Sequence, residues 1–257
     1  MAPNQTAQRN HETLFPGHVS TLAVTDPELI EVFDNFAFDQ VLRGSRLEPK
    51  TRLLLQLASM IAGQAAAEYR VMLGAALTIG VTPVEVKEVV YQAVAYVGMA
   101  KVFDFLHATN DVLTARGIAL PLPSQATTTP ETRFNAGLAV QTEIVGADGV
   151  DAMRAAAPAD AARFNDFLAA NCFGDYVSRG GLDLATRELV TFSMLVALGG
   201  CDPQVRGHVA ANLRVGNDRG VLLDVLAQLL PFIGYPRTLN GLAAVNDAAP
   251  APKEVTQ

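Results

Sequence analysis

The sequence predicts an all-α protein that contains two copies of one small helical domain. Ala, Leu and Val dominate a chain of 257 residues in which 50% of the residues are apolar and Trp is absent. This composition favours helices over strands, and no segment alternates apolar and polar residues as a half-buried strand would. The chain also repeats itself: Phe38–Asp111 aligns with Phe173–Asp247 after a one-residue insertion.

The repeat is carried by residues that are identical in both copies. They are Gly63 with Gly199, Arg70 with Arg206, Gly80 with Gly216, Gln92 with Gln228, Gly98 with Gly234, Asn110 with Asn246 and Asp111 with Asp247. A period of this length is too long for a solenoid and indicates a duplicated domain. We therefore divide the chain into a first copy, a linker, a second copy and a disordered tail, at residues 1–116, 117–129, 130–247 and 248–257.

Prolines next to capping residues mark the predicted helix starts. In the first copy these starts are Asp26-Pro27, Glu48-Pro49 and Thr82-Pro83, and in the second they are Thr129-Pro130 and Asp202-Pro203. Thr82 and Glu85 have capping-box spacing. Leu29, Val32, Phe33 and Phe36 form an apolar stripe after the Asp26-Pro27 start, whereas the polar residues 1–13 predict disorder. Residues 84–97 and 221–232 are apolar enough to predict contacts between subunits.

Composition and charge argue against nucleic acids and membranes as partners, and favour a small molecule. The net charge of −7 argues against nucleic acid. No run approaches the roughly 20 apolar residues of a membrane span, and the N-terminus lacks the features of a secretory signal. Two cysteines do not make a disulfide framework, which favours a reducing, cytoplasmic location.

The two copies differ where polar residues meet. The second copy carries Cys201, Gln204 and His208 where the first carries Ala65, Glu68 and Met72. His208 follows Gln204 by one helical turn, so both side chains project from one face. An imidazole titrates near neutral pH and suits proton transfer next to a carboxylate or lactone carbonyl. The alternative is a partly buried histidine that only satisfies a backbone carbonyl. We expect one functional half per chain.

A series of short motifs in the second copy resembles the carboxymuconolactone decarboxylase family. The motifs are Phe173-Gly174-Asp175, Gly181-Leu182-Asp183, Thr186-Arg187-Glu188-Leu189, Gly199-Gly200, Pro203–His208, Gly216, Gly234–Arg237 and Leu239-Asn240. The resemblance implies an alkylhydroperoxidase D-like helical bundle that assembles into rings. A chain with two copies would form such a pseudo-hexameric ring as a homotrimer. It also implies a cofactor-free enzyme that acts on a small organic acid or lactone, with His208 as general acid and base.

The same resemblance keeps a thiol peroxidase as an alternative. The peroxidase branch uses two cysteines separated by two intervening residues, with a histidine four positions after the second cysteine. Cys201 and His208 match this motif, but Gln204 replaces the second cysteine. Glu188 corresponds to a proton relay in that branch, or forms an ion pair. A thiol beside a helix N-terminus can have a lowered pKa, yet turnover would need Cys172 or an external thiol.

Two arginines are candidates for recognising a substrate carboxylate. Arg187 and Arg206 carry guanidinium groups that match a carboxylate, although the repeat of Arg206 at Arg70 also fits a structural ion pair. Gln92 and Gln228 lie in apolar helices, where they predict packing or interface hydrogen bonds. The four histidines and two cysteines show no metal-ligand spacing. The third functional hypothesis, from a different class, is a ring that binds a ligand or has a structural role without catalysis.

Overall fold

A computed structural model describes residues 2–251, and within this range the chain folds into helices without any strand. This confirms the all-α prediction. The α-helices are α1 Gln5–Leu14, α2 Leu22–Thr25, α3 Pro27–Ala37, α4 Pro49–Gly63, α5 Ala66–Thr78, α6 Pro83–Val97, α7 Met99–Ala115, α8 Arg133–Val145, α9 Ala147–Ala156, α10 Arg163–Phe167, α11 Leu184–Leu198, α12 Asp202–Arg214, α13 Arg219–Ile233 and α14 Tyr235–Ala248. A short 3₁₀ turn spans Gln40–Leu42 and a wider π-helix spans Leu168–Val177.

The two copies share one hydrophobic core. The corresponding helices α4 and α11 pack against each other at its centre, and α6 and α13 pack on both of them. Buried side chains from both copies, such as Leu55 and Ile61 of α4 and Phe192 of α11, belong to one contiguous cluster. The copies that the sequence repeats therefore depend on each other for burial of their apolar faces.

The capping signals predicted most helix starts correctly. Thr82 accepts a hydrogen bond from the Glu85 backbone at 3.2 Å, and the Glu85 carboxylate accepts one from the Thr82 backbone at 2.6 Å. Helices α3, α4 and α12 also begin where predicted. The exception is α8, which begins at Arg133 rather than beside Pro130. The hydroxyl of Thr132 accepts a hydrogen bond from the Thr129 backbone at 2.8 Å, in a turn that precedes the helix.

The predicted disorder of residues 1–13 is wrong, because this segment contains α1. The side chain of Asn4 caps α1 by accepting hydrogen bonds from the backbone of Thr6 and Ala7. Ala7 is fully buried and Leu14 is 5% exposed. The side chain of Asn10 also donates a hydrogen bond to the Phe38 carbonyl at 2.7 Å, so this mostly polar helix is held by a cap, two apolar anchors and a polar contact. Of the predicted tail, Ala248 ends α14, Ala249 is buried, and residues 252–257 lie outside the described range.

Large apolar side chains are exposed at corresponding positions of both copies. Leu29 and Val32 correspond to Phe164 and Phe167, and Met99 and Phe103 correspond to Tyr235 and Leu239; all eight are exposed. Leu29 and Val32 therefore do not face the core, whereas Phe33 of the same stripe packs against it. Conversely, much of the apolar surface of 84–97 and 221–232 is buried within the chain, which corrects the prediction that these segments supply the subunit contacts.

A buried ion pair joins the two copies. Arg187 of α11 lies 3.0 Å from Glu88 of α6, and their side chains are 0% and 1% exposed. Arg179 binds the same carboxylate at 3.0 Å. Gln92 accepts a hydrogen bond from the Arg187 guanidinium and donates one to its backbone carbonyl, both at 2.9 Å. The predicted interface role of Gln92 is confirmed, as is that of Gln228, which bonds to the carbonyl of Val41.

We expect Glu88→Gln to lower the free energy of unfolding by about 3–5 kcal/mol, because it leaves buried arginines without a counter-charge. Urea denaturation of the two proteins would measure this difference. Asp111→Asn is the matched control, since it breaks the exposed ion pair with Arg70, whose contribution should stay below about 1 kcal/mol. Equal effects of the two substitutions would contradict the central role of Glu88.

Candidate functional site

The candidate site is centred on His208 and Glu188, which face each other from α12 and α11. The chain reverses between these helices at Gly199 and Gly200, both of which have positive φ angles. This turn places Nδ1 of His208 2.7 Å from Oε2 of Glu188. The imidazole is 18% exposed, whereas the carboxylate is 1% exposed. A buried carboxylate on one ring nitrogen fixes the orientation of the imidazole and leaves Nε2 for a substrate.

The backbone around this pair is also fixed. The side-chain amide of Asn212 donates hydrogen bonds to the backbone carbonyls of Glu188 and His208, at 3.1 and 2.7 Å. It therefore braces the two helices at the level of the pair. The second carboxylate oxygen of Glu188, Oε1, is buried and has no hydrogen-bond partner among the described residues. An acceptor of this kind can serve a proton that moves in the site.

The first copy contributes Tyr96 to the site, which the sequence analysis missed. The ring of Tyr96 meets the imidazole of His208 edge to face, with centroids 5.9 Å apart. Burial raises the pKa of its phenol well above the usual value. The internal repeat contained a signal for this residue. Tyr96 aligns with Phe232, so the two copies differ by a hydroxyl group at this position. The candidate site thus includes a residue of the first copy, although His208 and Glu188 both lie in the second.

Neither cysteine has the lowered pKa that a reactive thiol needs. Cys201 lies at the N-cap of α12, but its thiol donates a hydrogen bond to the Leu195 carbonyl at 3.3 Å. Burial and the neighbouring Asp202 raise its pKa, opposite to the expected direction. Cys172 contacts the Tyr96 hydroxyl at 3.9 Å, and burial raises its pKa to about 11. Both cysteines are free.

The remaining predicted residues lie outside the His208–Glu188 contact. Gln204 is exposed one turn before His208. Arg187 is fully buried in the ion pair with Glu88, so its predicted contact with a substrate carboxylate is corrected to a structural role. Arg206 pairs with Asp247 at 3.2 Å on the surface, and Arg70 makes the corresponding pair in the first copy. This repetition confirms the structural alternative for Arg206.

The first copy has a cavity of about 680 Å³ at the position that corresponds to the candidate site. Ala65 and Glu68 line it where the second copy has Cys201 and Gln204, and Phe232 lines it where the candidate site has Tyr96. Of the three cavities described for the chain, none includes His208 in its wall. His208 is instead reached through its exposed edge.

Residues 2–251 contain neither a cluster of metal ligands nor a membrane-spanning helix. No group of three or more His, Cys, Asp and Glu side chains could hold a metal ion there. No helix in the same range combines the length and apolar character needed to cross a membrane.

Comparison with known proteins identifies the family. The model of the carboxymuconolactone decarboxylase family matches residues 27–111 and again residues 162–247. The chain is also 31% identical over 106 residues to a 4-carboxymuconolactone decarboxylase of Acinetobacter baylyi, a match that covers 41% of this chain and 78% of that protein. Both findings support a decarboxylase-type enzyme. The chain belongs to the carboxymuconolactone decarboxylase family and contains two copies of the family's domain.

Proposed function

We propose that the protein is a cofactor-free decarboxylase of a small organic acid or lactone, with His208 as its general acid and base. The observation that carries this proposal is the 2.7 Å contact between His208 and the buried Glu188. A carboxylate in this position stabilises the imidazolium and orients the ring for proton transfer. The name of the Acinetobacter relative makes 4-carboxymuconolactone the first substrate to test.

The proposed reaction needs one proton and no external electrons. The bond between the substrate carbon and its carboxylate breaks, carbon dioxide leaves, and the electron pair moves into the adjacent unsaturated carbonyl system. The imidazolium of His208 then donates its proton to the carbon that lost the carboxylate. His208 regains a proton from solvent, so the net change is uptake of one proton and release of carbon dioxide. Glu188 holds the imidazole ring in place throughout.

Tyr96 has a positioning role in this proposal. Its ring packs against the edge of the imidazole and shields this side of His208 from solvent. Its phenol stays protonated at neutral pH because burial raises its pKa, so it can donate a hydrogen bond but does not act as a base. A half-shielded imidazole beside a buried carboxylate suits proton transfer to carbon, because competing water is excluded from part of the site.

The peroxidase alternative has less support. A thiol peroxidase needs a thiolate at working pH, whereas burial raises the pKa of both Cys201 and Cys172. Gln204 occupies the place of the second cysteine and is exposed. We keep the cytoplasm as the predicted compartment, because a reducing environment suits two free thiols.

We also propose a homotrimer with a pseudo-hexameric ring. The exposed apolar residues recur at corresponding positions of the two copies, such as Phe103 and Leu239. Six copies in a ring would present the same contact surface six times, so each copy should keep it apolar. Phe167 belongs to this recurring set and directly precedes the π-helix that carries Cys172. Assembly would therefore cover surface close to the candidate site.

We expect His208→Gln to lower kcat for 4-carboxymuconolactone by at least about a hundredfold, because general acid and base catalysis typically contributes 10²–10⁴ in rate. Carbon dioxide release would measure this, and light scattering would show that the assembly is kept. His107→Gln, an exposed histidine of the first copy, is the control and should be fully active. A fully active His208→Gln would place the chemistry elsewhere.

Cys201→Ser should leave decarboxylation within a few-fold of the native rate, because the thiol is a packing group in this proposal. The native thiol should react with iodoacetamide more slowly than free cysteine at pH 7. The sign follows from its raised pKa, which lowers the thiolate fraction at neutral pH and lets the rate rise as the pH increases. Robust peroxide consumption with a thiol reductant, lost in Cys201→Ser, would instead establish the peroxidase.

Light scattering at micromolar concentration should give the mass of a trimer, about three times 27.2 kDa. Phe103→Asp should weaken the assembly, because it places a charge in a predicted apolar contact. Asp104→Asn is a suitable control beside it, since that residue is also exposed. A native protein that remains a monomer would refute the ring.

A further inference from the structure

A second cavity of about 550 Å³ lies between α6, α7 and the linker, away from His208. Its wall includes Lys87 and Tyr91 of α6, Asn110 of α7, Gln125 of the linker and Arg179. Tyr96 follows Glu88 by about two helical turns on α6, which corresponds to roughly 12 Å. The cavity is therefore a separate feature from the candidate catalytic site.

The charges around this cavity do not balance. Glu88 is the carboxylate in ion pairs with both Arg179 and Arg187. Lys87 adds a third cation that is only 8% exposed. Within the described residues, Lys87 forms no ion pair, and its ammonium donates a hydrogen bond to Asn110 alone. The wall of the cavity thus holds two cations, Lys87 and Arg179, and one carboxylate, Glu88. The fully buried Arg187 lies behind Glu88 as a further cation.

The fold itself does not require this excess. At the corresponding positions of the second copy, Leu223 replaces Lys87 and Ala227 replaces Tyr91. Asp224 takes the place of Glu88 and pairs with Arg46, whose side chain is 52% exposed. A buried cation without a counter-charge destabilises a protein. Its presence in one copy only is typical of a binding site, where stability is lowered for function.

The cavity also has the groups that would hold an anion. The Lys87 ammonium lies 5.7 Å and the Arg179 guanidinium carbon 5.2 Å from the centroid of the Tyr91 ring, so both cations flank one aromatic wall. Leu120 and Leu122 of the linker supply apolar surface. Gly181 lets this wall close, because a Cβ there would lie 2.8 Å from Val84 and 2.9 Å from Glu88.

We propose that this cavity binds a small dicarboxylate dianion. Two carboxylates match the two cations of the wall, with Lys87 as a point charge and Arg179 as a partly satisfied guanidinium. The leucine and proline side chains of the linker would contact the short hydrocarbon chain between the carboxylates. Bound dianion would join α6 of the first copy to the segment that leads into α11, and so would stabilise the contact between the copies.

The experiment is isothermal titration of the native protein with succinate at low ionic strength, together with thermal unfolding. Succinate should bind saturably and raise Tm, as expected for a ligand of the folded state. Lys87→Met should weaken binding by at least about tenfold, because it removes one charge-assisted contact. It should also raise the Tm of the ligand-free protein, since a buried unpaired charge is removed. Lys101→Met, at an exposed position, should change neither quantity.

Three further measurements test the assignment. Succinamide, which is neutral, should not bind. Inorganic phosphate should bind more weakly than succinate, and tighter binding of phosphate would overturn the dicarboxylate assignment. Binding should survive His208→Gln, which separates this site from the proposed catalytic one. The proposal fails if succinate does not saturate below about 10 mM, where a contact of this kind is expected to act, or if Lys87→Met binds it like the native protein.

Discussion

The contact between Glu88 and Arg187 is the constraint on which the rest of the structure depends. It fixes α6 of the first copy against α11 of the second, and both helices carry site residues further along. Glu188 follows Arg187 directly, and Tyr96 lies two turns after Glu88 on α6. Burying a charged pair contributes little net stability, but a pair that is 0% and 1% exposed tolerates few alternative alignments. The position of Tyr96 beside His208 is therefore a consequence of how the two copies meet.

Local sequence signals predicted most of the fold because helix starts depend on local chemistry. The capping box at Thr82 requires only residues within one turn, and it forms as expected. Signals about burial were less reliable, because an apolar stripe does not say what it faces. Leu29 and Val32 are typical core residues by spacing, yet they are 62% and 68% exposed. Helix α1 was missed because it depends on the Asn4 cap and two small anchors within a polar segment.

The candidate site could be predicted only in part. His208 and Glu188 were identified from their residue types, which suit proton transfer, and the structure brings them together. Tyr96 reaches them from the other copy, a contact that no local pattern encodes. The type of a residue also says nothing of its burial, which is why Arg187 looked like a substrate ligand. For Cys201 the position at a helix N-terminus was read correctly, but desolvation outweighs the helix dipole.

The first copy has apolar residues at the positions of the candidate site, which allows the effect of the site on stability to be compared between the copies. Leu53 and Met72 occupy the positions of Glu188 and His208, and they are 0% and 1% exposed. Replacing a buried charged pair with apolar residues of similar size is often neutral or stabilising. Two identical copies would have placed two such polar pairs, each with its desolvation penalty, in one shared core. Because duplication allows the copies to differ, the first can strengthen the shared core while the second retains the groups that we propose transfer protons. At Lys87 the roles of the copies are exchanged. The first copy has the buried charge, and the second has the apolar Leu223 at the corresponding position.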